Sequence, residues 1–148
     1  MADFVFNARK ADFGYYCGLP GANDALVVVV LEATGLEADS ALIDYDDLAT
    51  LLAAASNEQT TMGRKTVTAS VTVTVDDAND RVDVDMPDQT WTAATGNPTG
   101  ALLVCYDPDT TGGDDSSILL ISKHDFVATP AGGDITAQFA AGGFARAS

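Results

Sequence analysis

Apolar and polar positions change period several times along this chain. Residues 25–31, Ala-Leu-Val-Val-Val-Val-Leu, form an unbroken apolar run that Thr34-Gly35 closes. A β-branched run of that length predicts a strand buried on both faces. Leu42, Leu48, Leu51 and Leu52 then recur at helical spacing behind Asp39 and Ser40, either of which is a candidate cap. This predicts one short helix over residues 46–55.

From Thr66 the period becomes two. Val67, Val71, Val73 and Val75 alternate with threonines, interrupted once at Ala69-Ser70. After the polar stretch Asp76–Asp80, the alternation resumes from Arg81 to Met86. The pattern predicts a β-hairpin with its valines inward and its Thr and Asp side chains in solvent. Further strands are expected over residues 89–93, which carry Trp91, and over 101–106, 117–122 and 135–139, with 126–128 as an extension of the third. Strands recurring roughly every ten residues with turns between them predict a mainly β domain, a β-sandwich or barrel-like fold. Trp91 is expected to anchor its core. No repeat or linker divides the chain, so residues 1–148 read as a single β-rich domain.

The opening segment is less regular. Phe4, Phe6, Phe13, Tyr15 and Tyr16 surround Arg9 and Lys10. Residues 1–17 read either as a short helix followed by a strand or as a docking arm. Phe4, Phe6, Arg9 and Lys10 are the contacts such an arm would offer a partner.

Composition sharpens this picture. With 148 residues, 47% of them hydrophobic, the chain can build a core without staples. Its 22 acidic and 7 basic side chains give a net charge of −15. That balance opposes binding to nucleic acid, which rests on Lys and Arg neutralising phosphates, and to an anionic membrane surface. It suits a protein kept soluble by its charge, or one from a high-salt host where repulsion is screened. No run reaches the roughly 18 apolar residues of a membrane span. The opening Met-Ala-Asp-Phe lacks the basic and apolar regions of a secretory signal, so assembly in a cytoplasm is expected. Cys17 and Cys105 sit in apolar contexts and read as buried free thiols, with a single disulfide as the alternative.

Little in the chain suggests catalysis. His124 is the one histidine, so any triad or zinc site would have to be built around it. Gly63-Arg64-Lys65-Thr66 resembles the tail of a phosphate loop but lacks its first glycine. It reads as a turn presenting two exposed cations, Arg64 and Lys65, to solvent or to a partner. Residues 107–115 place Asp107, Asp109 and Asp115 in a loop that partly matches a calcium-binding pattern. Ile118 stands where that pattern needs its bidentate carboxylate. A solvated hairpin loop is therefore expected, with those three carboxylates the candidates for any cation. No enzyme activity, cofactor or resident metal is expected.

Several stretches together resemble a known group. The hairpin of residues 72–85 leads to Thr90-Trp91-Thr92. An apolar strand ending in Tyr106, an acidic loop, Ile135–Phe139 and the closing Gly143-Phe144-Ala145-Arg146 follow. Residues 60–148 are similar in this order to small virion structural proteins of tailed bacteriophages and their archaeal relatives. Residues 36–57 lie outside that pattern, and Ala145 stands where a bulky residue is usual. The resemblance implies a capsid decoration or minor head protein located in the virion. It implies the major capsid protein as partner and a homo-oligomeric state, a trimer among the candidates. A neck, tail or receptor-binding component, including a cation-dependent binding module, is the alternative.

Overall fold

The computed structural model describes residues 2–54, 56–140 and 143–147. At its centre lies a five-stranded antiparallel sheet in the order β1-β8-β7-β2-β3. Its strands are β1 (Phe4–Val5), β2 (Ala25–Glu32), β3 (Lys65–Val67), β7 (Thr99–Asp107) and β8 (Leu119–Ala128). As its unbroken apolar run requires, β2 is buried on both faces, and so is its partner β7. Alternate residues feed two cores. Leu26, Val28, Val30, Leu102 and Val104 face one, while Val27, Val29, Leu31, Leu103 and Cys105 face the other.

Two small sheets cover the first face. One is three-stranded, in the order β10-β5-β4, from β4 (Thr72–Asp76), β5 (Arg81–Asp85) and β10 (Ala145–Ala147). The other pairs β6 (Gln89–Trp91) with β9 (Ile135–Ala137). Together with α1 (Phe13–Cys17) they bring Trp91, Val84, Ala137, Phe13 and Cys17 into the first core. The opposite face is covered by α2 (Asp39–Leu42) and α3 (Leu48–Ala54), which bury Leu42, Leu48 and Leu51 beside Phe6. The β-rich architecture is thus sandwich-like on one side and helix-covered on the other.

The predicted helix is present as α3, within residues 46–55, and Asp47 caps it. The Asp47 carboxylate accepts from the Thr50 amide and hydroxyl, both at 2.8 Å. Asp39 instead begins the separate helix α2, so the expectation of one helix undercounts: the described residues contain three.

Two further expectations are corrected. Residues 4–17 are a strand followed by a helix rather than the reverse, and they are no free arm. Phe4 and Val5 pair with Lys123 and Ser122 of β8, and Phe6 is completely buried. The hairpin does form, with Val73 opposite Val84 and Val75 opposite Val82. Its valines, however, do not all turn inward. Val84 is buried, but Val73 is 37% and Val75 66% exposed. β4 is the outer strand of its sheet, and too little of the molecule lies over it to cover its apolar side. Among the described residues, no helix is long and apolar enough to cross a membrane.

Candidate functional site: an open sheet edge and its surroundings

Most of the predicted contact residues turn out to hold the molecule together. Arg64 is not an exposed cation. Its guanidinium grips Glu58 through Nε at 2.8 Å and Nη2 at 2.7 Å, and Asp115 through Nη1 at 2.6 Å and Nη2 at 2.9 Å. The planar fork of arginine suits two such carboxylates at once. Hydrogen bonds from Arg64 hold the Asp115 carboxyl below the usual carboxylate range, and those carboxylates push the guanidinium up in turn. Lys65 lies over the Trp91 ring, 5.6 Å from its centre.

The N-terminal candidates are similarly engaged. Phe6 is core, which corrects its assignment to a partner surface, and Phe4 meets it edge-on at 5.2 Å. Arg9 pairs with Asp12 at 3.1 Å and stacks over Tyr16. Lys10 remains exposed and donates to the Asn7 side chain at 2.7 Å. Beneath this segment, the fully buried Lys123 ammonium pairs with Asp39 at 3.2 Å and with Asp125, and donates to the Ala2 carbonyl.

The acidic loop between β7 and β8 also uses its carboxylates internally. Asp107 accepts from the Asp109 amide and Asp109 from the Thr111 amide, both at 3.0 Å, while Asp115 is held by Arg64. These are side-chain turns that organise a loop. Among the described residues, no three metal-capable side chains converge. Cys17 and Cys105 are free, buried and on opposite faces of the central sheet. Burial pushes the Cys17 thiol up to about 12, which removes thiolate reactivity at neutral pH.

His124 stands in an arrangement that sequence spacing did not reveal. Its Nε2 is 2.9 Å from the Ser122 hydroxyl and its Nδ1 is 3.3 Å from an Asp3 carboxylate oxygen. The order Asp–His–Ser is that of a hydrolytic triad. Ser122, however, is only 1% exposed, in the middle of the central sheet. A substrate carbonyl therefore has no approach to its oxygen. The two contacts hold the ring between Asp3 and Ser122; when the imidazole is neutral with its proton on Nδ1, facing Asp3, Nε2 is left to accept from the Ser122 hydroxyl. Burial lowers the His124 pKa, and the Asp3 charge offsets part of that effect. Beside His124 opens a cleft of about 380 Å³, walled by Phe126, Phe139 and Phe144.

One sparsely covered surface is the free edge of β4. Thr72, Val73, Thr74 and Val75 are all exposed, and none is charged. Gly14 of α1 lies close over Val73 and Val82, where a side chain would contact both valines. The neighbouring Tyr15 is 66% exposed. Val73 and Val75 are thus large apolar side chains left in solvent on a strand whose outer edge has no partner among the described residues. The alternating sequence predicts the strand but not which side of it lacks a neighbour, so the edge was not legible beforehand. No protein-family model, curated protein or solved structure matches the chain.

Proposed function

We propose that this chain is a structural protein of a tailed-virus particle, a capsid decoration or minor head protein that binds the shell of major capsid protein. The observation that carries this reading is the open apolar edge of the hairpin. Proteins that work alone usually blunt such edges, whereas docking proteins use them. The hairpin is also the stretch that opens the resemblance to virion proteins. The other resembling stretches include β6, β9 and β10, which complete the layer to which the hairpin belongs. The buried core beneath that layer gives such a protein a folded body with which to bridge shell subunits. The role is non-enzymatic, and homo-oligomerisation matched to the lattice belongs to it.

Mass spectrometry of purified particles tests the proposal. A copy number in the hundreds is the expected result for a shell protein. A count of roughly a dozen or fewer would move the chain to the neck or tail, where ring symmetry sets the number. Its absence from particles would overturn the virion role altogether.

A further inference from the structure

β4 combines features that soluble proteins normally keep apart. Its residues Thr72 to Val75 are all β-branched and hence strongly strand-forming. It lacks the lysine, proline or bulge that usually protects an outer strand. One side is fully paired to β5, and the other side has no strand beside it among the described residues. Its backbone therefore offers a ready row of donors and acceptors. Val73 and Val75 offer an apolar strip along the same edge.

Charge then selects the occupant. Carboxylates flank the strand at both ends. Asp76, Asp77 and Asp80 lie at the hairpin tip, and Asp85 lies opposite Thr72 at its foot. Arg81 pairs with Asp76 and Asp83, and Arg146 with Asp83, but no ion pair is seen at Asp77, Asp80 or Asp85 among the described residues. A second copy fits poorly. Two β4 strands laid antiparallel bring the acidic tip of one to the acidic foot of the other, on molecules each carrying −15. A segment with positive ends and an apolar, β-branched middle fits well.

We propose that the free edge of β4 is a strand-addition site for an extended segment of another protein, apolar at alternate positions and flanked by lysine or arginine. Main-chain hydrogen bonds along β4 supply affinity, Val73 and Val75 set the register, and the terminal carboxylates select basic ends. This rests on the docking role proposed above and names the chemistry of the docked element.

The test uses the full chain labelled with nitrogen-15 and two short peptides of alternating threonine and valine, one with paired lysines at each end and one with paired glutamates. The lysine-ended peptide is expected to bind, with amide shifts centred on residues 72–76. Its affinity should drop about tenfold or more between 0.05 and 0.5 M salt, as screening predicts. The glutamate-ended peptide should not bind. Val75→Lys, at an exposed position that tolerates substitution, should lose at least about tenfold in affinity while melting like the parent protein. Equal binding of the two peptides, binding of neither, or shifts centred elsewhere in the wild-type protein would overturn the assignment. So would self-association that Val75→Lys abolishes, because the occupant would then be a second copy. The two proposals fail separately. Peptide binding by a chain absent from particles removes the virion role alone, whereas a particle protein that ignores the lysine peptide removes the strand-addition site alone.

Discussion

Trp91 and His124 show how much single side chains carry here. Trp91 is 2% exposed, its indole Nε1 donates to the Gly63 carbonyl at 2.9 Å, and Phe126 lies 5.9 Å away. Trp91→Ala removes that volume and leaves the Gly63 carbonyl without its donor. It should cost about 3–5 kcal/mol in equilibrium urea unfolding. A loss under about 1 kcal/mol would mean that the ring does not anchor the core. His124 makes a pH-dependent contribution whose sign follows from its lowered pKa. The unfolded chain takes up the proton more readily than the folded one, so folding is favoured most above the unfolded value of 6.5. That stability is lost as pH falls from there towards the lower folded value. The hydrogen-bonded Asp109, Asp114 and Asp115 act in a separate window. Their folded values lie below 3.8, so their contributions persist above it and disappear only in stronger acid. The decline in melting temperature between about pH 7 and about pH 5 should therefore shrink in His124→Gln. An unchanged decline would assign it to other groups.

Among the elements, α3 shows how a short helix is held at its start. The Leu48 amide donates to the Ile118 carbonyl at 3.0 Å, the Ala49 amide to the Asp115 carbonyl at 3.1 Å, and the Thr50 amide to the Asp47 side chain. The Leu48, Ala49 and Thr50 amides thus each have a partner, two of them supplied by the loop that Arg64 clamps. Asp47→Ala should cost about 1 kcal/mol in urea unfolding, the usual worth of such a cap. A cost near zero would mean that the loop carbonyls alone hold the first turn. The helix was legible because its leucine spacing is local information, and so was β2, whose uninterrupted apolar run permits only a strand with cover on both sides. What required tertiary structure was not legible. The Thr–Val alternation of β4 would be the same under a covering layer as it is at an open edge. Arg64 read as an exposed cation because Asp115, 51 residues on, meets it only once the fold brings the β7–β8 loop alongside, and Glu58, six residues before it, meets it only once the intervening chain turns back. The Asp3–His124–Ser122 arrangement depends on β1 pairing with β8, and a two-residue strand carries too little pattern to be recognised. The three-residue strand β10 was not legible for the same reason.

At the scale of the whole molecule, charge sets the conditions under which this fold is most stable. Of the 7 basic side chains, Arg9, Arg64, Arg81, Lys123 and Arg146 already form ion pairs. Even complete pairing would leave 15 carboxylates uncompensated on a chain of 15.3 kDa. Compaction brings these like charges together, and their repulsion opposes folding. Salt acts on two opposing effects. It weakens the ion pairs, but exposed pairs contribute only about 0–1 kcal/mol each, and the buried Lys123 is poorly screened. It also screens the repulsion, whose range shortens from about 10 Å at 0.1 M to about 3 Å at 1 M. Repulsion involves many more charges than the pairs do, so screening should win and the melting temperature should rise across that interval in sodium chloride. Replacing Asp77 and Asp80 at the exposed hairpin tip by asparagine should flatten the rise, because it removes repulsive charges without breaking any ion pair seen in the fold. A melting temperature that falls with added salt would reverse the balance and make the ion pairs around Arg64 and Lys123 the dominant electrostatic support. A rise unaffected by the asparagine variant would trace the salt effect to strengthened apolar burial rather than to charge.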